Sequence, residues 1–184
     1  GGIEQQVENI PEEVRWCRKC VISNQRPRVI FDENDICSAC ANIEYKNTID
    51  WEQREAELIT LLDAHRSSCG DWDVIVPSSG GKDSGYVAHK LKYEYGMNPL
   101  LVTWSPLSYT EIGLRNFQAL SDSGFVCIRL TPNGRAHRAL ARLSFEELGD
   151  AFHVFVLGQI YSPIHIALKF GIRLIFYGEN GEVE

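Results

Sequence analysis

No apolar run in this chain approaches the roughly 18 residues that a membrane-crossing helix needs. The longest, Val154 to Leu157 with its neighbours, has the size of a core segment. The first residues, Gly1-Gly2-Ile3-Glu4, lack a basic stretch followed by an apolar one, so no secretory leader is expected and a cytoplasmic location is. Gly1-Gly2 reads as a remnant of tag removal. A basic excess is missing too. The net charge is -7; residues 1–70 carry 13 acids against 8 bases, and residues 71–184 carry 12 against 10. A phosphate-backbone footprint rests on clustered Lys and Arg, so nucleic acid is not an expected partner. Internal repeats and low-complexity segments are also absent. What remains is 184 residues, 44% hydrophobic, which excludes intrinsic disorder and leaves room for one ordinary domain plus a small module.

Six cysteines are present, and their spacing carries more than their number. Cys17-x2-Cys20 and Cys37-x2-Cys40 are separated by 16 residues, a spacing read as a tetrahedral zinc site. Cys69 and Cys127 are left over singly; Cys127, in an expected buried strand, reads as a small hydrophobe. Without a secretory leader, metal is favoured over disulfides. Residues 11–45 show little periodicity around one short apolar stretch, Val29-Ile30-Phe31, and cannot bury enough surface to order themselves without a staple. Four thiolates close the shell of a Zn2+ ion and favour a structural role, with a net charge of about −2. Arg15, Arg18, Lys19, Arg26 and Arg28 lie close in sequence and are expected to offset that charge. An iron–sulfur cluster, which also takes four cysteines, is the competing reading.

The spacing predicts a helix over 50–66, N-capped by Asp50 with Gln53 at the capping-box position. Residues 67–71 read as a boundary. The expected organisation is therefore a zinc-binding module at 1–49, a helix and linker at 50–70, and a main domain at 71–184. In that domain Val74-Ile75-Val76 reads as a buried parallel strand. A helix follows from about Ser84, with Gly96 as its C′ residue. Strands are expected at 100–104, 125–128 and 172–177. Helices are expected after the capping box Ser108-x-x-Glu111, over 134–148 behind the cap Asn133, and from Ser162-Pro163 to Gly171. Residues 151–161 fit strand or helix. The β-α-β-α alternation predicts an α/β fold with a doubly wound parallel sheet.

The richest chemistry lies in Pro77-Ser78-Ser79-Gly80-Gly81-Lys82-Asp83-Ser84, a strand, tight loop and helix start. Adjacent glycines let the backbone approach an anion, and the helix N-terminus aims free N–H groups at it. Ser79 and Ser84 add hydroxyls and Lys82 a cation. Asp83 beside an anion calls for an intervening cation such as Mg2+. The loop is neither a Walker A motif, which needs a glycine five residues before its Gly-Lys-Ser/Thr, nor a dinucleotide fingerprint. An ordinary βα turn is the plain alternative.

Ser79-Gly80-Gly81-Lys82-Asp83-Ser84 resembles the signature of the PP-loop ATP pyrophosphatases, which have an adenine nucleotide alpha hydrolase-like fold. The cysteine pairs, Tyr95-Gly96-Met97-Asn98-Pro99-Leu100, Thr131-Pro132-Asn133-Gly134 and the terminal Phe176-Tyr177-Gly178-Glu179-Asn180-Gly181-Glu182-Val183-Glu184 together resemble the N-acetyl sugar amidotransferases of bacterial surface-polysaccharide (lipopolysaccharide O-antigen) biosynthesis. The resemblance implies MgATP-dependent adenylation of a nucleotide-linked N-acetyl sugar and displacement of AMP by ammonia. A glutaminase and a cyclase-like subunit would supply the ammonia. It implies nucleotide binding by Ser78, Ser79, Gly80, Gly81, Lys82, Asp83, Ser84 and Gly178, with Lys82, Asp83 and Glu179 as catalytic residues. Glu179 and Asn180, after the last expected strand, read as substrate or Mg2+ ligands or as a plain turn between Gly178 and Gly181. Trp104, at the end of the second expected strand, reads as a wall of a nucleotide's adenine pocket or as core packing. Family members run well beyond this length, so a further C-terminal half is expected after Glu184.

Arg135, Arg138 and Arg142 share about 60° of one helix face, opposite Ala136, Leu140 and Leu143. They read either as a phosphate or partner patch or as a solvated face. His65, His89, His137, His153 and His165 show no ligand spacing. Two rival functions are a tRNA-thiolating enzyme, disfavoured by the charge, and a non-catalytic zinc-ribbon scaffold.

Overall fold

The computed structural model describes residue 11, residues 13–26 and residues 28–179. The chain divides into two compact units, with the boundary between Glu55 and Ala56.

The first unit is built from two tight reversals and one helix. Antiparallel bridges pair Trp16 with Ser23 and Phe31 with Cys37. In the first reversal the Cys17 N–H donates to the Ile22 carbonyl at 2.9 Å and Asn24 donates to Arg15 at 3.0 Å. In the second, the Asp32 carboxylate accepts from the N–H groups of Asn34 and Ile36, at 2.9 and 2.8 Å. Such an Asx turn is why Asp and Asn recur in this segment. Helix α1, Ser38–Asn47, starts at Cys37 as its N-cap, and none of its residues is buried.

The boundary falls inside α2, Trp51–Asp63. Asp50 caps it as expected, accepting from the Gln53 N–H at 3.0 Å. The second unit then follows a β-α pattern. Strand β1 is Val74–Pro77, α3 is Lys82–His89, and β2 is Pro99–Trp104. Next come α4, Glu111–Asp122, strand β3, Val126–Leu130, and α5, Gly134–Leu148. Helix α6 is His153–Phe170. Between α3 and β2, residues Lys90–Glu94 widen into a π turn, after which Gly96 turns the chain with φ +63°.

The sheet is parallel, in the order β1-β2-β3. Two apolar layers cover it. Val74, Val76 and Leu101 pack with Leu62, Ala88, Leu91, Leu120 and Phe125 on one face. Ile75, Leu100 and Val102 pack with Ile166, Ala167 and Ile172 on the other. Successive residues of β1 thus point to opposite layers, and both layers are helical. This is why the strand is apolar throughout rather than alternating.

Several expectations change. The strand expected at 172–177 reduces to a single parallel bridge, Ile75 to Ile175. Two hydrogen bonds hold it to β1: Ile75 N–H to Leu174 O at 2.9 Å and Phe176 N–H to Ile75 O at 2.8 Å. Helix α3 starts at Lys82, two residues before the expected point. The cap of α4 is Thr110, not Ser108; its hydroxyl accepts from the Gly113 N–H at 3.0 Å. Residues 151–161 resolve as helix, and Pro163 lies inside α6 rather than opening it. Gly158, Ser162, Pro163, Ile166 and Ala167 are buried along α6, Ile166 and Ala167 against Ile75, Leu100 and Val102, and that burial outweighs the break a proline favours. On α5 the buried stripe is His137, Ala141 and Ser144, while Leu140 and Leu143 face outward at 49% and 52% exposure. Among the described residues, no helix is long and apolar enough to cross a membrane.

Candidate functional site

The four paired cysteines converge in the first unit. One ligand sulfur from each of Cys17, Cys20, Cys37 and Cys40 lies within 4.8 Å of all the others. The Sγ atoms of Cys17 and Cys40 are 3.8 Å apart, and those of Cys20 and Cys37 3.6 Å. A tetrahedron with Zn–S bonds of about 2.3 Å has edges of about 3.8 Å, so the quartet has the dimensions of a four-thiolate zinc shell. Cys37 is fully buried and Cys17 nearly so. Backbone N–H groups face the sulfurs: Cys37 N and Lys19 N approach Cys17 Sγ at 3.3 and 3.4 Å, and Cys40 N approaches Cys37 Sγ at 3.5 Å. Cys37 and Cys40 also sit at the positive end of α1, which favours thiolate.

The thiols divide their protons unevenly. Burial pushes Cys17 up, but the N–H groups of Cys37, Lys19 and Cys20 outweigh it and hold that thiol down at about 6. Cys40 is pushed up to about 12, by burial and by its Cys20, Cys37 and Cys17 neighbours. A cation set among them would expel the retained protons. The expected basic offset is only partly present. Arg15 and Arg18 turn to Asp35, at 3.0 and 3.7 Å, while Lys19 pairs with Glu44 and still feels Cys40 and Cys17. Arg26 and Arg28 form no ion pair among the described residues. The charge is therefore met mostly by backbone N–H groups, which a residue count does not reveal.

The second site is a cavity of about 530 Å³ in the Ala56–Glu184 unit. That volume lies within the range of small-molecule pockets. It opens at the carboxyl ends of β1 and of the 174–176 segment, where the chain leaves the sheet on both sides. Ligands of open parallel sheets bind in such crevices. Its polar side comes from Ser78, Ser79 and Ser84 after β1, and from Glu179. Val102 and Trp104 of β2 and Val156 and Ile160 of α6 form the apolar side, with Gln159 and Ser162 beside them.

The loop between β1 and α3 is held tightly. Ser78 N–H donates to the Val102 carbonyl at 2.9 Å, and the Thr103 hydroxyl donates to the Ser78 carbonyl. The Ser78 and Ser84 hydroxyls lie 3.1 Å apart. Gly80 has φ +84°, and a Cβ there would stand 3.0 Å from Phe117 N, so conformation and space both require glycine. Gly81 caps α3 with extended backbone and no side-chain hydrogen bond, leaving the first N–H groups of the helix to the loop. A Cβ at Gly178 would stand 2.8 Å from Ser84 N and Cα. Gly178 thus lies directly against the first turn of α3.

The expected site residues divide into two sets. Ser78, Ser79, Ser84, Trp104, Gly178 and Glu179 line the one cavity. Gly80, Gly81, Lys82 and Asp83 form the loop and helix start beside it, outside its lining. Lys82 and Asp83 are exposed and form no ion pair among the described residues. Asn180 lies outside the described residues. The sequence does not indicate the α6 wall. Residues 151–161 fit strand or helix, which leaves Val156, Gln159 and Ile160 without an assignable face. Trp104 lies against Gly158 so closely that a Cβ there would stand 2.2 Å from its ring. Its Nε1 and the Nδ1 of His137 are buried without partners among the described residues, and the two rings lie 6.4 Å apart. Arg135, Arg138 and Arg142 are exposed, and Arg142 pairs with Glu146 at 2.7 Å. The basic face is thus partly neutralised along its own helix.

No family model matches this chain, and a search of the curated proteins gave no match.

Proposed function

We propose that the chain is an AMP-forming, ATP-dependent amidotransferase of the PP-loop pyrophosphatase type, doubly wound in its Ala56–Glu184 unit, with a structural zinc module before it. One observation carries this reading. The Ser78–Ser84 loop, with its glycine-enforced turn and uncapped helix start, opens onto a nucleotide-sized cavity that also collects Trp104 and Glu179. The resemblance of the loop to the PP-loop signature supplies the reaction class.

In this reading the β- and γ-phosphates of MgATP lie at the N–H groups of the Gly80–Ser84 turn. Lys82 stabilises charge on departing pyrophosphate. Asp83, exposed and without an ion pair among the described residues, supplies a carboxylate for Mg2+. The acetamido oxygen of a nucleotide-linked N-acetyl sugar attacks the α-phosphorus, forming a P–O bond as the bond to pyrophosphate breaks. Ammonia from the glutaminase and cyclase-like partners then attacks the activated carbon. AMP leaves with that oxygen, a proton is lost, and an acetamidino group remains. Positioning and electrostatics do this work, without a covalent enzyme intermediate.

The deciding experiment supplies MgATP, ammonium and a panel of UDP- and CMP-linked N-acetyl sugars, and identifies the nucleotide products. AMP and pyrophosphate, formed with one sugar only, are expected. ADP and phosphate would overturn the reading of the loop. A thermal-shift scan with MgATP separates the enzyme from a non-catalytic zinc scaffold, which predicts no shift.

A further inference from the structure

Thr103 is a polar residue in an apolar strand, and the reading above gives it no part. It stands in β2 between Val102 and Trp104 and is almost completely buried. Side chains alternate along a strand, so Thr103 shares the face of Leu101, the one that α3 covers through Ala88. Valine has nearly the same shape, suits a buried strand and carries no polar side-chain atom. A buried hydroxyl is costly unless it is bonded. Here it is bonded: the Thr103 hydroxyl donates to the Ser78 carbonyl. The β1–β2 pairing ends at Pro77 and Val102. One residue further on, the Ser78 N–H donates to the Val102 carbonyl at 2.9 Å. Both backbone polar groups of Ser78 are therefore tied to β2, one by the strand's backbone and one by its side chain. The Ser78 hydroxyl in turn lies 3.1 Å from that of Ser84. The chain thus enters the turn from Ser79 to Lys82 from a fixed start. The contacts of Gly80 with Phe117 and of Gly178 with Ser84 confine the same turn sterically. Thr103 restrains it through a single hydroxyl, which can be removed without changing the shape of the side chain.

We propose that Thr103 is a positioning residue for the loop between β1 and α3. Its hydroxyl, through the Ser78 carbonyl, fixes where the chain leaves β1, and so where the N–H groups of the Gly80–Ser84 turn and Lys82 stand when they receive a diphosphate. The proposal rests on the phosphate reading of that loop. Thr103 does not line the cavity and acts only through Ser78. Without the hydroxyl, the Ser78 carbonyl loses this donor and the turn gains freedom that binding must then remove. Donors already set in place spend none of the binding energy on ordering themselves, which is the advantage the hydroxyl supplies.

The test is calorimetric binding of magnesium pyrophosphate to the unaltered chain and to three variants, each well below its melting temperature. Thr103→Val removes the hydroxyl and keeps the shape; its affinity should fall about tenfold, the equivalent of one hydrogen bond. Thr103→Ser keeps the hydroxyl and loses the methyl group; its affinity should stay within about twofold of the unaltered chain. Gly70→Ala lowers stability far from the loop in sequence and should leave the affinity unchanged. A merely structural threonine would shift the melting temperature and leave the affinity of the folded protein alone. Pyrophosphate bound as tightly by Thr103→Val as by the unaltered chain would therefore overturn the proposal. So would equal losses in Thr103→Val and Thr103→Ser, which would assign the effect to packing of the methyl group, or an affinity that falls with stability in Gly70→Ala. In each of these cases the phosphate site would stand. No binding of pyrophosphate by the unaltered chain would overturn the phosphate reading itself, and the role of Thr103 with it.

Discussion

Gly178 and Gly80 are constrained by different neighbours around one loop. At Gly178 a methyl group would meet the backbone of Ser84 at 2.8 Å, which no side-chain adjustment relieves. Gly178→Ala should therefore destabilise the protein by about 1–3 kcal/mol, measured by denaturant unfolding, and displace the first turn of α3. Gly70 also has positive φ, but nothing lies within 4 Å of the added Cβ, so Gly70→Ala should cost only about 1 kcal/mol. Lys82 and Asp83 are exposed and form no ion pair among the described residues, so Lys82→Ala and Asp83→Ala should each change stability by less than about 0.5 kcal/mol. The same variants should abolish AMP formation; full activity in both would remove these residues from the chemistry. The cysteines set a pH dependence. Cys17 is held at about 6, below its ordinary 9.0, so without metal its contribution to stability is present in alkali and is lost as the pH falls through 6. Cys40, raised to about 12, acts oppositely, contributing below 9 and losing that contribution as the pH rises through 12. Zinc uptake must displace the protons these thiols retain. It should release protons and tighten with rising pH, which titration with a chromogenic chelator would show.

Helix α6 shows how packing overrides local signals. Ser162-Pro163 has the form of a helix start, yet the helix runs through it from His153 to Phe170. Gly158, Ser162 and Ile166 form a buried row at four-residue spacing, with Pro163 and Ala167 beside it, and the small members of that row let the helix approach the sheet closely. Gly158→Ala would place a methyl group inside the Trp104 ring and should expel the indole from its seat. A red-shifted, more quenchable tryptophan fluorescence would report it. By contrast, the cap of α5 is a local matter. The Asn133 side chain accepts from the N–H groups of Arg135 and Ala136 at 3.0 and 3.1 Å, so Asn133→Ala should cost about 1 kcal/mol. Thr110 displaced Ser108 as the cap of α4 because either hydroxyl fits the local pattern, and only the path of the chain after β2 chooses between them.

The two units differ in what orders them. The Ala56–Glu184 unit has two apolar layers about a parallel sheet. Among the described residues of the first unit, helix α1 has no buried residue and Cys17 and Cys37 are the buried apolar residues. A metal ion held by Cys17, Cys20, Cys37 and Cys40 would then be the main source of its order. Chelation should abolish amide protection in residues 13–50 and leave β1 and β2 protected, as hydrogen exchange would record.

Local and periodic features were legible in the residues alone. The cysteine spacing, the caps Asp50 and Asn133, the apolar run of β1 and the glycine-rich loop each depend on neighbours a few positions away. The cavity was not legible as a whole. Its loop could be read, but its far wall depends on which face α6 turns to the sheet, and an unbroken apolar run does not encode a face. The strand at 172–177 shortened to one bridge because pairing needs an edge of matching length, which belongs to another part of the chain. The contact of Gly178 with Ser84 joins residues far apart in sequence. Such a contact arises only when both chain ends of the crevice are brought together, and its steric demand exists only in the folded molecule.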